Sequence, residues 1–253
     1  MRKLLKLIFT ARLNIIKTIY FNFKVFPFKV ALKMPIWLFG KVVIFEAHRD
    51  SITINGKLRR GMIRIGGGVE KYNVPFCQTF VSYINLKGNI IFGSNVVIDN
   101  GVCLSVAPEA TIEFGDDVYI NANCKIFSEE MIVIGSRSRI SWDSQIFDSN
   151  FHYIVHNGII SRKSHPIILS QNCWIGNKVT ISKGTNLPAY SIVAAGSMIN
   201  KDFSANAEGG MYAGIPAKLI ATKFERLIGK EIEEKIDRLF KDGRETVLLT
   251  DIN

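Results

Sequence analysis

The sequence predicts an all-β chain wound as a left-handed parallel β-helix, a triangular prism, with an N-terminal amphipathic segment and a C-terminal α-helix. Two observations predict it. Large apolar residues recur at six-residue spacing through the middle of the chain, and an apolar-glycine pair recurs with them at Phe92-Gly93, Phe114-Gly115, Ile134-Gly135 and Ile175-Gly176. Six-residue spacing suits neither a 3.6-residue helix nor two-residue strand alternation with hairpin turns. It suits three short strands per turn, each sending one large residue inward.

The first element is 1–41. The chain of 253 residues carries a net charge of +10. Most of the excess sits in Arg2, Lys3, Lys6, Arg12, Lys17, Lys24, Lys29, Lys33 and Lys41, with no acid among them. A nucleic-acid groove would spread its cations along the folded body, so this distribution argues against a polyanion partner. On a helical wheel Arg2, Lys3, Lys6, Lys17 and Lys24 fall opposite Leu4, Leu5, Ile8, Ile15, Ile16, Ile19 and Phe23, with Arg12 misplaced. The pattern reads as a helix lying on a membrane surface or capping the prism core, and Phe26-Pro27-Phe28 marks a break where the two roles could divide. The apolar stretch lacks a cleavage site, and no run reaches the roughly eighteen apolar residues of a membrane span.

Residues 42–91 alternate loosely and read as lead-in strands. The repeat then occupies 92–220. Ile98, Ile120, Ile140 and Ile181 follow the four anchors by six residues, and Leu104, Ile126, Ile146 and Leu187 by twelve; Val193 and Ile199 continue in step. Small or β-branched residues such as Val96, Val118, Ser144, Val179 and Ser197 recur within the hexapeptides. Gly, Asn and Asp cluster where corners need left-handed backbone or close approach, as in Gly93-Ser94-Asn95, Gly115-Asp116-Asp117 and Gly176-Asn177. Pro108, Glu130 and Asn150 break the small-residue rule, all in the third hexapeptide of their coil, which places every insertion on one edge of the prism. The largest, 149–169, is a long loop on a rigid scaffold and so the expected carrier of function.

The last element is 221–253. Ile228, Ile232, Ile236 and Phe240 stand at i, i+4 spacing within 224–241, with Glu231/Lys235 and Glu234/Arg238 pairs outside, and Asp242-Gly243 ends the pattern. This predicts a packing helix without chemistry. Cys77, Cys103, Cys124 and Cys173 are widely spaced and show no C-x-x-C pair, so they read as reduced core residues with no metal role.

Among the histidines, His48, His152, His156 and His165, only His152 stands where the large loop leaves the prism. A neutral imidazole suits general-base work near neutral pH. Asp148 and Asn150 lie just upstream, where they could orient that imidazole, bind an acceptor's hydroxyls, or simply form a turn. His156 and His165 read as loop residues.

The run Ile146-Phe147-Asp148-Ser149-Asn150-Phe151-His152-Tyr153-Ile154 resembles the hexapeptide-repeat O-acetyltransferases. So, in order, do Cys173-Trp174-Ile175-Gly176, Lys183-Gly184, 191–197, Asn200-Lys201-Asp202 and Ala213-Gly214-Ile215-Pro216-Ala217-Lys218. The similarity is greatest to the bacterial capsule and O-antigen sugar acetyltransferases, kin of the galactoside, maltose and serine acetyltransferases. It implies acetyl transfer from acetyl-CoA to a sugar hydroxyl in polysaccharide or glycolipid synthesis, with His152 as base and Asp148 and Asn150 beside it. It further implies a pantetheine groove near Trp174, Asn177 and Ala195, with Asn200, Lys201 and Lys218 at the nucleotide end. The family's homotrimers, with sites between subunits, imply the same here. An antibiotic acetyltransferase would share fold and base, and an inactive scaffold would share the fold alone. The charged N-terminus favours a lipid-linked acceptor at the inner face of the cell membrane over free drugs. A prism-shaped zinc enzyme would need a third histidine ligand, for which the sequence has no evident place.

Overall fold

The computed structural model describes residues 12–67, 80–227, 229–241 and 245–251. Parts of the predictions lie outside these: the segment 1–11 with its apolar and basic residues, Cys77, Ile228 and Asp242-Gly243. Among the described residues the strands form three faces of nine, seven and six strands, parallel except for the last strand of the nine-stranded face, and wind into one left-handed β-helix. A small antiparallel hairpin stands apart from them.

The inward residues form three ladders. One runs Phe92, Phe114, Ile134, Leu169, Leu187 on the six-stranded face. A second runs Ile98, Ile120, Ile140, Ile175, Val193, Tyr212 on the nine-stranded face. The third runs Leu104, Ile126, Ile146, Ile181, Ile199 on the seven-stranded face. All are essentially fully buried, and the Phe92 and Phe114 rings stack at 5.2 Å. Truncating one such side chain to Ala would cost about 2–5 kcal/mol, so the stack is held by its core.

These ladders correct the phase of the repeat. Ile175-Gly176 does not continue the series of the first three anchors; its place is taken by Leu169-Ser170, and Ile175 belongs one face further on. The spacing misled because the inserted loop hides one whole strand, Ile167–Leu169. The insertions do share one corner, between the seven- and six-stranded faces, where Cys103–Val106 passes to Thr111–Phe114, Lys125–Ser128 to Met131–Ile134, and Gln145–Phe147 to Ile167–Leu169.

Two corner rules emerge. Asn95, Asp117, Arg137 and Asn172 hold left-handed backbone one above another, and Lys178 does so where Asn177 was expected. The anchor glycines have another cause: a Cβ on Gly135 would lie 2.6 Å from the backbone nitrogen of Gln171 in the next coil. The buried corner serines bond across coils, as Ser144 does by donating to the Gly176 carbonyl at 2.9 Å and accepting from the Val179 N–H at 3.2 Å.

Parallel pairing begins at Ile36–Leu38, well before the pattern becomes regular at Phe92, and the lead-in strands Val42–Glu46, Ile52–Ile54 and Ile63–Ile65 already belong to the three faces. Helix α1 (Ile15–Val25) covers this end, and the short α2 (Phe28–Ala31) follows. The Asn14 side chain caps α1 by accepting from the Lys17 N–H at 3.0 Å. Asn22 donates to the Ile36 carbonyl and accepts from the Ile36 N–H, and the Leu38 N–H donates to Thr18 Oγ1 at 3.0 Å. These bonds satisfy the edge strand of the nine-stranded face. No described helix is long and apolar enough to cross a membrane.

At the other end the hairpin Met211–Gly214/Ala217–Ala221 extends the nine-stranded face. Helix α3 covers only Lys230–Lys241, not the whole of 224–241. The Phe224 N–H donates to the Gly209 carbonyl and Arg226 donates to the Arg137 carbonyl, so 224–227 is tied to the prism and leaves no ladder for a helix. Burial beside Arg139 pulls the Arg226 guanidinium down to about 10.

Candidate active site

The 148–166 excursion is rooted in an ordered clamp. Asp148 is fully buried, and its carboxylate accepts from Ser128 Oγ at 2.7 Å, the Glu129 N–H at 2.7 Å and the Glu130 N–H at 2.9 Å. Glu129 and Glu130 lie one coil below, because this corner pairs residues twenty apart. Lys163 bridges to Glu129 at 2.7 Å and Arg162 to Glu130 at 3.3 Å, while Ser149 Oγ donates to Glu129 at 2.8 Å. The main chain closes the same root: the Asn150 N–H donates to the Lys163 carbonyl and the His165 N–H to the Asp148 carbonyl. Two carboxylates and two cations thus fix both strands of the loop before it leaves the prism.

His152 sits on this root and is exposed. The residue before it, Phe151, holds a φ of +61°, a left-handed conformation that a bulky side chain rarely takes. Its ring is anchored edge-on between Phe127 and Phe147, at 6.4 and 6.1 Å. The Phe151 N–H donates to Ser149 Oγ at 2.9 Å. Backbone strain of this kind persists only where neighbours over-determine it, and here it fixes the direction in which His152 departs.

Glu129 is the carboxylate that Lys163 and Ser149 hold at this root, and it interacts electrostatically with His152. Lys163 above all, then Ser149 and His152, hold the Glu129 carboxyl below its ordinary range. The described side-chain bonds of Asp148 all go to 128–130, which is the turn-forming one of the roles the sequence left open. Asn150 is exposed and acts through its backbone. Glu129 was missed, although the twenty-residue spacing of the anchors would have placed it directly beneath Ser149.

Beyond the root the loop forms an antiparallel hairpin, Ile154–His156 with Ile159–Ser161, turning at Asn157-Gly158, both of positive φ. That dipeptide was a readable signal. Tyr153, Ile154, Val155, Ile159 and Ile160 are all exposed on it. His156 contacts only Asn157 among the described hydrogen bonds, and His165 lies exposed at the far side of the root.

The residues expected to hold the donor lie elsewhere. Trp174 is 41 % exposed on the nine-stranded face, its indole N–H reaching Ser141 Oγ at 3.4 Å. Asn177 and Ala195 stack at the next corner, where the Gly196 N–H donates to the Asn177 carbonyl at 2.9 Å. This corner, between the nine- and seven-stranded faces, is not the one that carries His152. Asn200 and Lys201 follow Met198–Ile199 at the corner of the excursion, two coils above it, and Lys218 lies on the terminal strand of the nine-stranded face. All three are exposed. Trp174 and Ala195 are both exposed. One chain does not bring them to His152. Among the described residues no cluster of His, Cys, Asp and Glu could hold a metal ion.

No family model matches the chain. It is 29 % identical over 151 residues to an Escherichia coli protein named for lipopolysaccharide biosynthesis O-acetyl transfer, WbbJ, spanning 56 % of this chain and 76 % of that one. It is 28 % identical over 131 residues to the galactoside O-acetyltransferase of Escherichia coli, over 51 % of this chain and 61 % of the other. Among solved structures, a hexapeptide-repeat acetyltransferase of Vibrio cholerae complexed with acetyl coenzyme A matches with 26 % identity and a TM-score of 0.38, covering 44 % of this chain and 60 % of that one.

Proposed function

We propose that this chain, which resembles the hexapeptide-repeat acyltransferases, moves acetyl from acetyl-CoA to a hydroxyl of a sugar used in surface polysaccharide or glycolipid synthesis. The observation that carries this reading is the exposed imidazole of His152, set on a clamped root in the field of Glu129. Relatives named for O-acetyl transfer to galactosides and in lipopolysaccharide synthesis support the donor and the acceptor class.

Bound acetyl-CoA supplies a thioester carbonyl. The acceptor hydroxyl gives its proton to His152, and its oxygen forms the new ester bond as the carbon–sulfur bond breaks. The imidazolium then returns the proton to the leaving thiolate, so the base is regenerated. Glu129 opposes the positive charge that His152 carries in between. Lys201 and Lys218 serve the phosphates of the donor, and Trp174, Asn177 and Ala195 its arm.

The separation of His152 from that arm surface within one chain supports a homotrimer in which one copy's excursion reaches the neighbour's groove. So does the exposed apolar hairpin, which a second copy would cover.

His152→Ala should lower kcat by roughly a hundred- to ten-thousand-fold while leaving acetyl-CoA affinity nearly intact. His156→Ala and His165→Ala should leave kcat within a few-fold. Thioester turnover and acetyl-CoA binding, measured side by side, decide it: a folded His152→Ala protein with near wild-type turnover removes the mechanism.

A further inference from the structure

Helix α1 is amphipathic in an unusual sense. Its polar residues Thr18 and Asn22 point inward, beside Phe21 and Val25, because they bond the edge strand of the prism. Three isoleucines and a tyrosine face out: Ile16 is 82 % exposed, and Ile15, Ile19 and Tyr20 are each about half exposed. At 100° per residue these four share one stripe, and Lys17 and Lys24 lie on another. Phe23 carries the apolar stripe onto α2, its ring 5.7 Å from that of Phe28, which is 64 % exposed, and Leu32 follows. An apolar face of this extent, contiguous across two helices, asks for a partner.

Charge identifies the partner. Between Arg12 and Phe45 every charged residue is a cation, and Lys24, Lys29, Lys33 and Lys41 border the apolar stripe in sequence. A protein groove would match such a face with mixed polar contacts, whereas apolar residues in a ring of lysines complement acyl chains beneath anionic headgroups.

We propose that the outer face of α1 and α2 docks on an anionic lipid bilayer, standing the prism on its α1 end. The docking is independent of the chemistry. Combined with the acetyl-transfer reading, on which this consequence rests, it names the acceptor class. On the seven-stranded face four ladder steps separate Val42–Glu46, at the docked end, from Gln145–Phe147, where the excursion leaves. At about 4.8 Å per step the root of His152 stands roughly 19 Å along the prism from the first strand. The acceptor is then a glycan anchored in the same bilayer, modified at a sugar held away from the lipid.

Flotation of the full chain tests this, using vesicles of phosphatidylglycerol with phosphatidylcholine and vesicles of phosphatidylcholine alone. The anionic vesicles should carry the protein upward, the neutral ones should not, and about 0.5 M salt should weaken recovery. Ile16→Glu/Ile19→Glu, at exposed positions, should lower recovery about tenfold or more while thioester turnover on a soluble acceptor stays at the wild-type rate. Lys29→Glu/Lys33→Glu should do the same. Wild-type protein that stays at the bottom with anionic vesicles overturns the proposal. Equal recovery of the isoleucine variant overturns it too, as does a change of oligomeric size in that variant without any effect on flotation. Flotation without turnover keeps the docking and removes the acetyl-transfer reading; turnover without flotation does the reverse.

Discussion

At the scale of single residues, the site turns on a carboxylate that has no catalytic signature of its own. Glu129 joins the two strands of the excursion root through Lys163 and Ser149, and it interacts electrostatically with His152. Its carboxyl titrates below the ordinary value near 4.5, chiefly because Lys163 bonds it. A carboxyl depressed in the folded state stabilises it above the unfolded value and loses that contribution as pH falls through the depressed value. The difference in unfolding free energy between wild type and Glu129→Gln should therefore stay constant from neutral pH to about pH 5, then shrink as acid neutralises the carboxylate. Urea titrations across this range measure it, and a difference that persists unchanged at pH 2 would exclude the tether. His152 stood out as a candidate in the sequence because it follows the motif and begins the insertion. Asp148 could not be assigned, because a carboxylate beside a histidine reads the same whether it faces the ring or folds back into the coil below. Only the bonds to Ser128, Glu129 and Glu130 decide.

At the scale of elements, the coil is legible where inward residues alone set it and illegible where a strand is hidden. The six-residue period found the ladders from Phe92 onward, yet Ile167–Leu169 went unseen within the insertion, and the last anchor was counted one face out of phase. The early coils escaped because their turns vary in length, not because their strands differ. Helix α3 was drawn too long for a related reason: 224–227 carries apolar residues that suit a helix, but its bonding to Gly209 and Arg137 holds it against the prism. The corners allow a sharper test of what the anchor glycines do. Gly135→Ala would press a Cβ against backbone atoms of Ser170 and Gln171, which cannot move alone, and should cost about 1–3 kcal/mol or more. Gly158→Ala has open space around it and a φ of +76°, so it should cost only about 1 kcal/mol. Thermal denaturation of the two variants compares close approach with backbone conformation; equal losses would show that coil stacking is not the constraint.

At the scale of the whole molecule, the division of labour between corners predicts complementation. The excursion leaves from the corner of the seven- and six-stranded faces, while Asn177 and Ala195 occupy that of the nine- and seven-stranded faces. Ala195 is exposed, so Ala195→Trp should fold normally and obstruct the donor's arm. If sites form between copies, co-expressed His152→Ala and Ala195→Trp chains should assemble some oligomers with one intact site and recover clear activity, although each variant alone has almost none. Mixtures that remain as inactive as their parents would put both functions in one chain.

The parallel stack has a further property that follows from its construction. Each ladder step advances about 4.8 Å, and all three faces advance together. A whole coil added between α1 and Gln145–Phe147 would shift the His152 imidazole by one step and keep every inward residue in its ladder. A fraction of a coil would put all three faces out of register. Distance along this molecule is therefore graduated, like marks on a ruler whose zero is the α1 end. Under the proposed docking and acetyl transfer, a hydroxyl on a tethered chain of similar sugars would be selected by height as well as by pocket shape, and the number of coils would write that height into the sequence.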